Sequence, residues 1–327
     1  MLAMGGFAAL LALAAPAPGE NPSDGAIVVG KDRIDFMDGK RLVARYLTDP
    51  KLPKPVWQPL NPVGDSSITR SWPLEKEGDE DKDHVHHKGL WWCHGDIIPE
   101  GMEVPKSGDK RVHGVDFWSE AKNHGRIVFI GADKPKDGRI VTRNEWRTSE
   151  GTKIMDETRT LSIHPVAKGH LLVMASEMTA SVAPLVFGDT KEGSWGVRVR
   201  KTVALKTSGG KGKMVNDKGG SGDAGTWGKV ASWCDYSGPL GKGGPVGGVA
   251  LMAHPSNSLD TAWHARGYGL MAANPFGRAG SGFPDRKGKK DSPKLAKDET
   301  LKLVYAAYLH PGDAKEGQVA EAFAAFG

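Results

Sequence analysis

The feature that most limits the fold is a series of short stretches typical of β-strands, separated by turn-forming residues. In the clearest of them, residues 153–163, side chains alternate between two faces, with Thr158 on one and Glu157 and Arg159 on the other. Such alternation predicts a strand. Thirteen stretches fit this description: residues 26–29, 33–36, 41–46, 90–93, 126–130, 139–147, 153–163, 171–182, 194–202, 230–236, 246–253, 268–272 and 301–309.

This series predicts an all-β fold, a large antiparallel β-sandwich that forms one domain over residues 26–327. The chain has 44 Gly and 21 Pro, so turns are frequent, and only residues 314–326 have the pattern of a good helix. Residues 48–83 are rich in Pro, Gly and charged side chains. Because structureless loops of that length are unusual in compact domains, this stretch is predicted to be an ordered functional loop or a lid.

The N-terminal residues 1–18 are apolar and small, and they include two small-x-small cleavage patterns. This predicts a signal peptide and a secreted or periplasmic protein. Two cysteines, Cys93 and Cys234, are too few for a disulfide-rich scaffold or a four-cysteine zinc site. A disulfide between them and two buried free thiols both fit the sequence.

Charge and hydropathy exclude several classes of partner. The net charge is +5, but the lysines are spread over Gly-rich loops and no nucleic-acid motif accompanies them, so no nucleic-acid partner is predicted. No later segment approaches the roughly 18 apolar residues of a membrane span, so the protein is predicted not to be membrane-embedded. The motifs GxSxG and HExxH and the P-loop are absent. The sequence leaves the oligomeric state open.

The densest cluster of functional side chains holds His84, His86 and His87, with His94 close behind. In an extended chain, His84, His86 and His94 would share one face. Imidazoles titrate near neutrality, which favours acid–base chemistry or substrate recognition. A metal site is a second interpretation, with His84 and His86 as ligands and a distant third ligand such as His264 or Asp116. The third interpretation is a partly exposed His-rich loop that has no functional role.

Two further clusters combine charged and aromatic side chains. In the first, Glu192 is a candidate base, Lys191 a candidate substrate ligand, and the strand that follows carries Trp195 and Arg198 on opposite faces. The second contains Trp263, His264, Arg266 and Asn274. Each also has an ordinary structural interpretation, as a surface ion pair or as core. Three more candidates lie elsewhere in the chain: Arg70, Trp72 and Asp116.

Seven segments together resemble the bacterial PmoA-like family: TRSWPLE (69–75), DHVHHKGLWW (83–92), GVDFWSE (114–120), DTKEGSWGVRV (189–199), WGKVASWCDYSGP (227–239), HPSN (254–257) and WHARGYGLMAANPFG (263–277). The chain departs from that family at Val85, His113 and Gly267, where the family usually has Pro, Asn and Asp, and it inserts residues 97–112. The resemblance implies a secreted or periplasmic β-sandwich that looks like the mutarotase-type supersandwich of sugar-processing proteins. The methane oxygenase behind the family label is a membrane protein, which this sequence does not match.

These observations favour a secreted carbohydrate-active enzyme, a hydrolase, lyase or epimerase that acts on a sugar or glycoside. His86 or His87 is predicted as the general acid, and Glu192 or His264 as the partner base. Hydroxyls or a uronate would be bound by charged residues, and sugar rings would stack on tryptophans. The predicted substrate-binding residues are Arg70, Trp72, Asp116, Lys191, Trp195, Arg198, Trp263, Arg266 and Asn274.

Two alternatives remain open from the sequence. One is a metal-dependent enzyme built on the cluster of His84, His86 and His87, and a divalent metal is the one cofactor that the residues suggest. The other is a non-catalytic glycan-binding module, in which the tryptophans rather than the titratable groups would carry the function.

Overall fold

Nineteen strands and two short α-helices form most of the regular structure of residues 27–75 and 80–327, which the computed structural model describes. The predicted signal peptide, residues 1–18, lies outside these residues. In chain order the elements are β1 (Ile27–Val29), β2 (Arg33–Asp38), β3 (Arg41–Leu47), β4 (Val56–Leu60), β5 (Leu90–His94), β6 (Ile97–Pro99), β7 (Arg126–Ala132), β8 (Arg139–Arg147), β9 (Lys153–Val166), β10 (Gly169–Thr179), β11 (Leu185–Phe187), β12 (Gly193–Arg198), β13 (Lys213–Asn216), α1 (Gly222–Thr226), β14 (Trp233–Pro239), β15 (Val246–Ala253), β16 (Ala262–Arg266), β17 (Leu270–Asn274), β18 (Lys294–Leu295), β19 (Thr300–Pro311) and α2 (Val319–Phe326).

The strands form two eight-stranded antiparallel sheets and one small sheet. The first sheet has the order β1-β2-β3-β4-β5-β12-β17-β16, and the second has the order β13-β14-β15-β19-β10-β9-β8-β7. Strands β18, β11 and β6 form the small sheet. The longest ladder of the second sheet pairs β9 with β10 from Asp156↔Thr179 to Val166↔Gly169.

The two large sheets pack face to face. The indole N–H of Trp195 in the first sheet donates to the carbonyl of Ala306 in the second at 3.4 Å, and Arg159 of the second donates to the Tyr46 hydroxyl of the first at 3.0 Å. One cluster of buried apolar side chains contains residues of both sheets. The predicted antiparallel β-sandwich is therefore confirmed.

The C-terminal helix covers the outer face of the second sheet. Its buried residues Val319, Ala322 and Phe326 belong to a second apolar cluster, together with side chains of the neighbouring strands. The helix is confirmed but begins at Val319, five residues later than the predicted start at 314. The residues before it form turns, and Gln318 adopts a left-handed conformation with φ 56°, which a continuous helix does not allow.

Six strands were not indicated by the sequence pattern, and all of them have five residues or fewer. The first of them, β4, lies inside residues 48–83, so this stretch is not one long loop. Short strands carry too few residues to show an alternation, and Pro59 inside β4 argues against a strand.

The cysteines and the predicted absence of membrane spans are two further features that the sequence analysis addressed. Both Cys93 and Cys234 are free and buried, which matches the second of the two interpretations of the cysteines. Burial raises the pKa of the Cys93 thiol to about 12, so the thiol is protonated at neutral pH. Among the described residues, no helix is both long and apolar enough to span a bilayer.

Candidate active site

A cleft of about 670 Å³ opens on the face of the first sheet that points away from the second sheet. This volume lies within the range of small-molecule sites, about 300–1,000 Å³. Residues from eight separate parts of the chain line it: His84, His86, His87, Gly95, Asp109, Arg111, Val112, Asp116, Trp118, Ser119, Asp189, Thr190, Lys191, Glu192, Ser208, Asp223, His264, Arg266, Gly267, Tyr268, Gly280 and Ser281.

The alternation of the strands decides which side chains reach this cleft. In β16, His264 and Arg266 line the cleft, whereas Trp263 points to the opposite face and packs in the core. In β12, Trp195 likewise lies in the core, and its indole contacts the second sheet. One face of each strand therefore supplies the core and the other supplies the cleft, or the layer directly beneath it.

The predicted extended arrangement of the histidine cluster is wrong, because the segment turns. The backbone N–H of His87 donates to the carbonyl of His84 at 2.9 Å, and His84 has φ 43°. This turn stacks the rings of His84 and His87 in parallel, with centroids 4.7 Å apart, and places His86 edge-on to both. His94 is separated from them and packs against Phe276.

The stack continues on both sides of the histidines. Tyr268 lies over His84 with ring centroids 5.3 Å apart, and Trp91 lies under His87 at 5.2 Å. The guanidinium of Arg198 lies 4.7 Å from the Tyr268 ring. Three rings of this column, those of Tyr268, His84 and His87, line one wall of the cleft, and Trp91 lies buried beneath them. Because the ring faces cover one another, the wall offers mainly ring edges and polar atoms to a ligand.

Arg70 and Arg198 hold the histidine turn in place through Asp83. Asp83 Oδ1 accepts from Arg70 Nη1 at 2.6 Å and from Arg198 Nη2 at 2.8 Å. Arg70 also donates to the backbone carbonyls of Asp81, Asp83, His84 and His87. Its side chain is only 1% exposed and does not line the cleft. The predicted substrate ligand Arg70 is therefore a positioning residue.

Arg198 also determines which ring nitrogen of His87 carries the proton. Its Nη1 donates to His87 Nδ1 at 3.2 Å, which leaves the ring proton of a neutral His87 on Nε2. Burial, followed by the charges of His86 and Arg198, keeps the pKa of His87 well below 6.5. Burial and the neighbouring Lys54 lower the pKa of His86 to about 3. Both rings are neutral at pH 7, which favours hydrogen-bond donation over the predicted general-acid role.

The opposite wall holds Glu192, Lys191 and His264. The Nδ1 proton of His264 points to the backbone carbonyl of Lys191 at 2.8 Å, so Nε2 of the neutral ring is free to accept a proton. Burial, followed by the charges of Lys191 and Arg266, holds the pKa of His264 well below 6.5. Glu192 is 22% exposed, pairs with the Lys191 ammonium, and places Oε2 3.8 Å from His264 Nδ1.

Asp116 lines the cleft, and hydrogen-bond donors of the protein already surround its carboxylate. Its Oδ1 accepts the backbone N–H groups of Trp118 at 2.8 Å and Ser119 at 3.0 Å, and its Oδ2 accepts the Ser119 hydroxyl. Burial raises the pKa of Asp116, although these donors oppose the shift. Asp116 orders the turn beneath Trp118, so its contribution to a ligand is confined to its remaining exposed edge.

Five other predicted residues do not line the cleft. One is Arg198, which is buried and bonded to Asp83 and His87, so it is a positioning residue rather than a substrate ligand. Trp195 and Trp263 are fully buried, and their N–H groups donate to backbone carbonyls, so neither can stack on a sugar ring. Asn274 is buried and ties the backbone of residues 190–191 to that of residues 276–277, which supports the cleft wall from behind. Trp72 lies against the Arg70 guanidinium at 4.9 Å.

Several cleft residues were not singled out by the sequence. Asp109 and Arg111 form a rim ion pair, at 2.6 Å, within the inserted residues 97–112. Trp118 and Tyr268 each lie two residues after a predicted site residue, Asp116 or Arg266, in segments that carry the family resemblance. Position in those segments was the only available signal, because nothing in a single sequence tells which loop residue faces a cleft.

No metal-ligand set is assembled in the described part of the chain, where no three His, Cys, Asp or Glu side chains are grouped to hold an ion. The rings of His84 and His86 lie edge to face with centroids 5.7 Å apart, and His84 Nδ1 is bonded to Asp83 at 2.7 Å. The arrangement therefore gives the metalloenzyme alternative no support from geometry.

The clamp on the histidine turn can be tested directly. Replacing Arg70 with alanine removes its donors to Asp83 and to four backbone carbonyls. Each bond to a charged group is worth about 1.5–3 kcal/mol, so we expect the amides of His87 and Lys88 to exchange with solvent at least tenfold faster. Hydrogen exchange with mass spectrometry measures this, with the exposed ion-pair variant Arg143→Ala as the control. Unchanged protection at residues 80–88 would contradict the role.

Comparison with solved structures finds distant likenesses to sugar-processing proteins. The galactosidase domain of the α-galactosidase–sucrose kinase AgaSK is 8% identical with a TM-score of 0.47, over 88% of this chain and 42% of that one. A GalM/aldose epimerase homologue from C. elegans is 10% identical with a TM-score of 0.39, over 88% of this chain and 98% of that one. A putative aldose 1-epimerase from Escherichia coli K12 is 9% identical with a TM-score of 0.38, over 88% and 98%.

The chain spans about two fifths of the length of the α-galactosidase chains that it matches. At these identities the activities in the titles describe those proteins alone. A search of curated proteins found no match. The resemblance to the PmoA-like family stays a prediction, because the matching family model carries a different name. That model, of a family of unknown function called DUF6807, covers residues 33–324, and the chain belongs to this family.

Proposed function

We propose that the protein is a secreted or periplasmic carbohydrate-active enzyme, a hydrolase, lyase or epimerase, and that the cleft binds a sugar or glycoside. One observation carries the proposal. The four residues chosen from the sequence as catalytic candidates, His86, His87, Glu192 and His264, come from three separate segments and all line the same cleft. Burial is the main cause that lowers the pKa values of the three histidines, and titratable groups with shifted pKa values in a cleft are characteristic of catalytic sites.

Glu192 is the proton acceptor in this proposal. Its carboxylate is accessible from the cleft, and the Lys191 ammonium holds it in place. His264 Nε2, which has no hydrogen-bond partner among the described residues, is a second and weaker acceptor on the same wall, because burial lowers its pKa. A proton from a substrate hydroxyl, an acidic C–H or a water would pass to one of these two groups, a step that contributes about 10²–10⁴-fold to rate.

The histidine turn supplies donors on the other wall. His87 carries its proton on Nε2 because Arg198 occupies Nδ1, so the neutral ring donates a hydrogen bond rather than a proton. His86 is neutral and lies beside it. Neutral imidazoles held by a buried clamp suit the stabilisation of a substrate oxygen on which negative charge develops.

The non-catalytic alternative fits the cleft less well. A glycan-binding module of the predicted kind needs open tryptophan faces, but Trp195 and Trp263 are buried and Trp118 is only 2% exposed. The cleft offers proton-transfer groups and hydrogen-bond donors instead. These features favour turnover of a ligand over simple retention.

The test is a turnover screen of the purified full-length protein with monosaccharides, uronates, glycosides and oligosaccharides. Release of reducing ends detects a hydrolase, ultraviolet absorbance of an unsaturated product detects a lyase, and NMR exchange at the anomeric or a neighbouring carbon detects an epimerase. We expect one of the three signals, together with a higher melting temperature in the presence of the same sugar. Absence of all three signals, with no sugar shifting the melting temperature, would overturn the proposal.

A further inference from the structure

The carboxylates of the cleft are already used by the protein. Glu192 pairs with Lys191, and Asp109 with Arg111. The other three accept backbone N–H groups, with several distances between 2.5 and 2.9 Å; they are Asp116, Asp189 and Asp223. Each negative charge that lines the cleft is therefore compensated before any ligand arrives.

The positive charges are not compensated in the same way. Lys191 and Arg111 have the carboxylate partners just named, whereas the Arg266 guanidinium has no hydrogen bond or ion pair with any other residue of the described chain. The central guanidinium carbon, Cζ, lies 3.5 Å from the centroid of the Trp227 ring, so stacking on this ring holds the guanidinium in place. An immobilised guanidinium at a cleft wall keeps its planar set of N–H donors available to a ligand.

The surroundings of Arg266 favour an anion. His264, two residues earlier on the same strand and also facing the cleft, has a pKa lowered first by burial and then by the charges of Lys191 and Arg266. Burial raises the pKa of Tyr268 to about 12, and the positive charges of Arg198 and Arg266 oppose that rise. This corner of the cleft therefore combines one uncompensated cation with two uncharged side chains, His264 and Tyr268, and a ligand that brings one negative charge would complete it.

We infer that the cleft selects sugars that carry a carboxylate, that is, uronic acids or their glycosides, and that Arg266 binds this carboxylate. The inference rests on the proposed function and narrows its substrate class. The planar guanidinium can bind the two carboxylate oxygens side by side, while the ring hydroxyls face the histidines and Glu192. A neutral sugar in the cleft would leave Arg266 without a charged partner.

Calorimetric titration of matched methyl glycosides tests this inference. Each pair differs only at C6, with a carboxylate in one member and a hydroxymethyl group in the other, in the gluco, galacto and manno series. In at least one series we expect the uronate to bind about 10- to 100-fold more tightly, which is the ratio that a charge-assisted bond supplies. Arg266→Gln should abolish that preference and leave the affinity for the neutral member within about twofold. Arg266→Lys should retain only part of it.

Arg143→Gln is the matched control, because it removes the same charge from an exposed ion pair with Asp133, outside the cleft. This variant should keep the full preference for the uronate. Equal affinities within every pair, or a preference that survives Arg266→Gln, would overturn the inference while the proposed function stands. If no member of any pair binds and the turnover screen is also silent, the proposed function itself fails.

Discussion

Replacing Glu192 with glutamine is expected to lower turnover of the sugar substrate by about 10²–10⁴-fold, the usual contribution of a positioned base. The amide has nearly the same shape as the carboxylate but cannot accept a proton at neutral pH. Glu192 is partly exposed at the cleft wall and supports no buried network, so the melting temperature should change little. The loss should appear in kcat more than in KM, because the residue acts on the transferred proton.

Glu120→Gln is the matched control for that experiment. Glu120 also pairs with a lysine, Lys88, and is partly buried close to the histidine turn, but it does not line the cleft. We expect this variant to keep turnover within about threefold of the wild type, since it removes a charge without removing the proton acceptor. If Glu192→Gln turns over at the wild-type rate, or if both variants lose activity equally, the role assigned to Glu192 is wrong.

Replacing Glu157 with alanine is expected to lower the free energy of unfolding by about 3–5 kcal/mol, because it would leave a buried guanidinium without its counter-charge. Glu157 and Arg159 lie between the two sheets with side chains at most 1% exposed, and two bonds of 2.8 Å join them. Glu157 also accepts the N–H of Trp146 at 2.8 Å and the hydroxyl of Ser176 at 2.6 Å. One carboxylate thus satisfies three buried partners.

Denaturant unfolding of Glu157→Ala and of Glu177→Ala measures this effect. Glu177 pairs with Lys302 at 2.9 Å on the same sheet, but both side chains are almost half exposed. Exposed pairs contribute about 0–1 kcal/mol, so the control variant should unfold at nearly the wild-type denaturant concentration. Equal losses in the two variants would show that the buried network does not hold the sheets together as described.

The strand periodicity was sufficient to predict the sandwich, because long strands such as β9 bury alternate side chains. The pattern over residues 153–163 put Glu157 and Arg159 on one face, and in the structure that face is the buried one. Periodicity could not reveal that these two charged residues neutralise each other in the core. It also missed short strands such as β4 and β16, which have too few residues to show a period.

The candidate site was predicted in part, and two physical features account for the errors at the tryptophans and in the histidine cluster. Sequence proximity brought Trp263, His264 and Arg266 into one cluster, but a strand sends neighbouring side chains to opposite faces, so Trp263 went to the core. The same rule separates Trp195 from Arg198 in β12. The turn at His84 was the second source of error, because a non-glycine residue with positive φ leaves little trace in a sequence.

The measurement that tests the central claim most directly is a crystal structure of the Glu192→Gln variant with a sugar that the screen identifies as a substrate. We expect the sugar to lie in the cleft, with an oxygen or carbon of the reacting bond within hydrogen-bond reach of position 192 and with His87 donating to a sugar oxygen. A sugar bound elsewhere on the protein, or one that lies in the cleft but away from both walls, would contradict the account.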